Sequence, residues 1–185
     1  MARVPLLTKK EQLPEAQHQE HDEIMSILGN VGGPFGLLLY SPGLALKVCQ
    51  AGAHVRLESE LTMVERELAL LATLREKDAD FEWGGHSRTA RQAGMAEATI
   101  DVIKNDADPS GLPDDDRDVI LFTRQLLRKN KVEDDVFNRL QERHGTRWVL
   151  EIAATIGQYQ YISAVNNAFN QEPREGAEVL PHIER

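Results

Sequence analysis

Glu67, Glu82 and His86 are the residues of this chain whose types and spacing could move a proton. Glu82 and His86 stand four apart in Phe81-Glu82-Trp83-Gly84-Gly85-His86, so a helix there makes them neighbours on one face. Glu67 lies fifteen positions before Glu82, in Arg66-Glu67-Leu68-Ala69. Histidine is the one side chain whose unperturbed charge change falls near neutrality, and a carboxylate beside an imidazole favours the charged ring. An imidazole with two carboxylates at hand can therefore deliver or remove a proton at working pH. In this reading His86 is both acid and base. Glu82, one turn away, orients it, and Glu67, on a neighbouring buried helix, shares a proton or holds a water. By spacing alone Glu82 and His86 are an ordinary helix-surface pair; it is Glu67 and the flanking pattern that make them a site.

Were the ligand a carboxylate, a guanidinium would meet it, since its planar fork matches two oxygens. Arg56 is the first candidate, with Arg88 and Arg66 behind it; Arg56 and Arg66 are equally able to serve structural ion pairs, and Arg88 reads otherwise as solvent-facing. Trp83 could wall a flat ligand or simply fill the core. Tyr159, Tyr161, Asn166 and Asn167 could edge a pocket or satisfy one another. Gly84 and Gly85 weaken a helix, which suggests a close approach of backbone or ligand. His18 and His21 have a metal-like spacing, but no further Cys or His completes a set and acidic neighbours mark a solvated face, so no metal is expected. Cys49 reads as packing.

The bulk properties bound these ideas. A chain of 185 residues with 41% hydrophobic content has room for one sizeable core. Its formal net charge of -9 repels phosphate backbones and no basic cluster offsets it, so nucleic acid is not an expected partner. Apolar runs stop short of the roughly 18 residues that a membrane span needs, and no signal-peptide pattern opens the chain, which points to a cytoplasmic location. The single cysteine excludes intramolecular dithiol chemistry.

Elements to position the trio follow from periodicity, which is helical almost throughout and nowhere alternates with period two. An all-α fold of about eight helices is expected. After an N-terminal arm, Pro14 opens a helix over residues 15–28 that Gly29 closes. Residues 31–40 read as a glycine-rich loop turning helical near its end. Ser41-Pro42 starts a helix that sends Leu44, Leu46, Val48 and Cys49 into the core. Thr62 and Glu65 have capping-box spacing, and Leu68, Leu70, Leu71 and Leu74 make the helix behind them apolar on several sides, hence deeply buried. Asp78 or Asp80 caps the next helix, which Gly94 ends. A short helix over 97–104, a loop over 108–113, and a helix from the three aspartates 114–116 to about Asn130 come next. A helix to His144 stops at Gly145, and Thr146 caps the last long helix, to about Asn170. The boundaries expected are an arm and helix over 1–33, a helical domain over 34–170 and a charged tail over 171–185.

Arg66-Glu67-Leu68-Ala69, then Phe81 to His86, then Ala90 and Ala93-Gly94 before a short helix containing isoleucine, together resemble the carboxymuconolactone decarboxylase family. That family shares its helical fold with the alkylhydroperoxidase-D-like proteins. Tyr40 to Leu44, His54-Val55-Arg56, Tyr159 and Asn166-Asn167 resemble its longer members, so the similarity covers roughly residues 34–169. The peroxidase branch of the superfamily carries a Cys-x-x-Cys pair where this chain has Ala79-Asp80-Phe81-Glu82. A thiolate is the nucleophile towards a peroxide, so peroxidase activity is not expected.

The resemblance implies a lyase of the decarboxylase type, free of cofactor, acting on a small carboxylated lactone or related unsaturated acid from aromatic-compound catabolism. It implies His86, Glu82 and Glu67 as the catalytic residues and a homo-oligomer (dimer, trimer or hexamer), a state that the glycine-rich apolar stretch over 31–39 also favours. Trp83 and the two glycines depart from the compact lactone decarboxylases and leave the substrate open. The alternative is a helical binding or assembly protein that keeps the fold without turnover.

Overall fold

The structure, a computed structural model, describes residues 2–184. Among them there are eight α-helices, three short 3-10 turns and no strand, which is the all-α architecture expected. The chain divides into two compact units, one made of residues up to 59 with 164–172, the other of residues 60–163 with 173 onward.

The first unit holds 3-10 turns at Lys10–Gln12 and Glu15–Gln17, then α1 (His18–Leu28), α2 (Pro34–Leu38) and α3 (Pro42–Leu57). Gly29 ends α1 at φ 75, a left-handed conformation in which glycine has no Cβ to clash, and its N–H reaches back to the Met25 carbonyl. The N-terminal arm is tied down: Leu7 N–H donates to the Gly36 carbonyl, and the Tyr40 hydroxyl donates to the Pro5 carbonyl. Helices α1 and α3 pack together. Ala45, Cys49 and Gly52 are buried on α3, a stripe of small side chains. Leu44 precedes that stripe by one residue, which turns it about 100° away, and it is exposed rather than in the core; Leu46 and Val48 are half-buried. Ser41 stands at the N-cap of α3, but its side chain makes no capping hydrogen bond.

In the second unit come α4 (Met63–Glu76), α5 (Asp80–Gln92), α6 (Glu97–Lys104), a 3-10 turn at Pro109–Gly111, α7 (Asp114–Lys129) and most of α8 (Asp134–Ala168). The capping box at the start of α4 is formed in both directions, with Thr62 N–H donating to Glu65 at 2.7 Å and Glu65 N–H to the Thr62 hydroxyl at 3.3 Å. Every residue of α4 from Arg66 to Arg75 is buried, because α5, α6 and α7 all pack on this helix. Its leucines join Trp83, Ile100, Ile103, Ile120, Leu140 and Ile152 in one core, each large side chain contributing roughly 1.5–3 kcal/mol by burial. Helix α8 is broken at Gly145 (φ 86, ψ 167), where the sequence places a stop.

Asp80 does not cap α5. Its carboxylate instead accepts the backbone N–H of Leu180, and Ala79 occupies the N-cap position. The C-terminal tail thus packs within the second unit: Leu180 is buried and the Pro181 carbonyl accepts from Arg75 at 2.9 Å.

Candidate active site

Glu67 is held on α4, the most enclosed helix of the second unit, and its side chain is only 3% exposed. The next helix, α5, packs on α4 and presents Glu82 and His86 one turn apart. His86 Nδ1 lies 2.8 Å from Glu67 Oε2, a hydrogen bond between helices. His86 Nε2 lies 3.7 Å from Glu82 Oε2, close enough for charge to matter but too long for a direct hydrogen bond. The sequence reading put Glu82 in the orienting position. The geometry gives the orienting hydrogen bond to Glu67, since the imidazole tilts across to α4 and away from its own helix. With an ionised Glu67 as acceptor, Nδ1 carries the ring proton and Nε2 is left on the side of Glu82.

Two further groups complete the surroundings. Tyr159, buried on α8, meets the imidazole edge to face, with ring centres 5.1 Å apart and planes at 83°. This contact restrains the ring and places a phenol beside it. It joins residues far apart in sequence; the only local signal was the buried face of α8 that runs through Trp148, Ile152, Ile156 and Tyr159. Arg66, also buried, puts Nε 3.7 Å from Glu67 Oε1, so the orienting carboxylate lies between an imidazole and a guanidinium.

The remaining candidates are distributed elsewhere. Trp83 is completely buried in the hydrophobic core. Arg88 is exposed, and a residue two positions from His86 does not share its helix face. Arg56 belongs to α3 in the first unit, where its Nε donates to the Gly52 carbonyl of the same helix at 3.2 Å. Of the basic residues proposed for a substrate carboxylate, Arg66 is the one that the structure places beside the trio. Cys49 is fully buried in α3, and burial pushes its thiol up, against the opposing pull of Arg56. Gly84 does allow a close approach: a Cβ there would lie 2.8 Å from the Glu178 carbonyl oxygen. Gly85 has open space around it.

Comparison with known proteins bears on the family and the fold. No curated protein matches the chain by sequence. Among solved structures, an uncharacterized peroxidase-related protein with an alkylhydroperoxidase core, from Ralstonia eutropha, superposes with a TM-score of 0.71 at 20% identity, covering 94% of this chain and 93% of its own. The debrominase Bmp8, as a cysteine-to-alanine variant in complex with 2,3,4-tribromopyrrole, gives 0.70 at 13% identity, with 95% of each chain covered. The same debrominase without ligand gives 0.66 at 14% identity, covering 93% of this chain and 94% of its own. These likenesses establish a shared helical fold. Residues 42–116, the stretch that contains Glu67, Glu82 and His86, match the carboxymuconolactone decarboxylase family.

Proposed function

We propose that this chain is an acid-base lyase of the decarboxylase type, acting on a small carboxylated lactone or related unsaturated acid, with His86 as the group that returns a proton to carbon. The observation that carries this reading is the hydrogen bond from His86 Nδ1 to a nearly inaccessible Glu67, which leaves Nε2 turned towards Glu82. Loss of carbon dioxide breaks a carbon–carbon bond and leaves its electron pair on the conjugated system as an enolate or dienolate. A protonated Nε2 then supplies the proton, and Glu82 is placed to pass a replacement to the imidazole. Arg66, beside Glu67, is the guanidinium assigned to a charged substrate. A positioned acid-base group of this kind is worth about 10²–10⁴-fold in rate.

Sulfur chemistry fits less well. Glu82 stands where the peroxidase branch carries its second cysteine, and the one thiol of the chain is enclosed in another helix. The test is a screen of carboxylated lactones and β-keto acids for carbon dioxide release, run beside His86→Ala. Turnover that disappears in the variant, with helical content unchanged, supports the proposal. Turnover that survives removes His86 from the mechanism, and release from no acid tested favours a binding protein on the same fold.

A further inference from the structure

One side of α5 is covered by the C-terminal segment. Asp80, Gly84, Ser87 and Arg91 recur at helical spacing and share a face. Asp80 accepts from Leu180 N–H at 2.9 Å. The Glu178 carboxylate accepts from the Ser87 hydroxyl at 2.9 Å, from Arg91 Nη1 at 2.8 Å and from Lys104 Nζ of α6 at 2.7 Å. At Gly84 the backbone of Glu178 comes so near that only a residue without a Cβ fits undisturbed. From α4, Arg75 donates to the Pro181 carbonyl. The segment is therefore bonded to the helix that carries Glu67 and to the helix that carries His86, while Glu82 and His86 lie on a different face of α5 from the one it covers.

We propose that Glu178 is a positioning residue for His86: it pins α5 to the C-terminal segment that Arg75 of α4 also holds, and so fixes the register at which the imidazole reaches Glu67. A proton-transfer pair is sensitive to such placement, since a misplacement of about 1 Å can cost on the order of 10²-fold in rate. Arg91, then Lys104 and Ser87, hold the Glu178 carboxyl down at about 2 against the opposing effect of burial, so the pin stays charged across the neutral range. The inference rests on His86 being the working group of the site, but its test does not require a known substrate.

The nitrogen-15 shifts of the His86 ring report which nitrogen carries the proton. The wild-type chain should show the Nδ1–H form bonded to Glu67. Glu178→Ala should convert this to a mixture of tautomers, and Glu178→Gln, which keeps size and an acceptor oxygen, should restore much of it. Gly84→Ala displaces the segment without altering any charge and should act like Glu178→Ala. Where an active acid is found, kcat should fall about 10-fold or more in both disruptive variants with KM little changed. Folded Glu178→Ala and Gly84→Ala proteins with the wild-type tautomer would overturn the proposal, and if Glu178→Ala does not fold, Gly84→Ala decides alone. A wild-type chain with the Nδ1–H form and no turnover would sink the lyase reading and leave the positioning role standing.

Discussion

The two nitrogens of His86 meet different acids, and the difference predicts unequal mutants. Glu67 makes the 2.8 Å hydrogen bond and is enclosed, whereas Glu82 stands 3.7 Å from the other nitrogen and is more accessible. Glu67→Gln replaces an acceptor-only carboxylate by an amide that can turn its NH2 to the ring, which favours the wrong tautomer. Its kcat should fall by about 10²–10⁴-fold, as for loss of the acid-base group itself, while Glu82→Gln should cost less and act mainly on the replacement of the proton; steady-state kinetics of the two variants separate these outcomes, and equal losses would reject the division of labour. Glu67→Ala should also lower stability by about 1–3 kcal/mol, because it removes the acceptor of a part-buried imidazole beside a buried guanidinium; urea unfolding measures this directly. The trio was legible in the sequence because two of its members are one helical turn apart and the third sits on the preceding helix. Which acid orients the ring was not, since that depends on side-chain rotamers across a helix pair. Tyr159 was legible only as a possible edge, its contact being made across a large sequence separation.

Adjacent glycines in α5 behave as opposites at the scale of the element. A Cβ on Gly85 would meet nothing within 4 Å, whereas one on Gly84 would meet the Glu178 backbone at 2.8 Å. In a helix, alanine is favoured over glycine by about 1 kcal/mol. Gly85→Ala should therefore raise stability by roughly 0.5–1 kcal/mol, and Gly84→Ala should forfeit that gain or reverse it by displacing the C-terminal segment; thermal melts of the pair check the contrast, and equal stabilisation would mean that the close approach is not real. Read from the sequence, both glycines suggest a close approach, and only Gly84 makes one, because the partner that tells them apart lies more than ninety positions along the chain. Local signals fared better. The capping box at Thr62, the stop at Gly29, the span of α6 and the break at Gly145 are each set by a few neighbouring residues, and all are found. Leu44 is the informative miss: a run of apolar residues in α3 does not say which face is inward, and the small residues Ala45, Cys49 and Gly52 took that face. Asp80 is another, its carboxylate drawn to a distant backbone N–H instead of its own helix.

Charge couples the helices of the second unit to pH. Asp118 of α7 is completely buried and receives Arg117 from its own helix, with Arg139 and Arg143 from α8, at 2.7–3.1 Å. Burial alone would raise its carboxyl, but the hydrogen bonds from Arg139, Arg143 and Arg117 outweigh that and hold it well below the usual range. Glu178 is likewise lowered, from an ordinary 4.5 to about 2. Both groups bind protons more weakly in the folded chain than in the unfolded one, so falling pH favours unfolding. Their stabilisation is fully present above about pH 5, where both states are ionised, and drains away as pH falls from there towards 2. A shift of this size on Glu178 corresponds to at most about 3 kcal/mol, less after solvent screening of its quarter-exposed side chain. Urea midpoints should therefore be nearly level from pH 7 to 5 and drop steeply below 4.5. Asp118→Asn, which leaves three guanidiniums without their common buried anion, should cost on the order of 3 kcal/mol at pH 7 and flatten the acid limb. An acid limb as steep in Asp118→Asn and Glu178→Gln as in the wild type would show that other carboxylates control the transition.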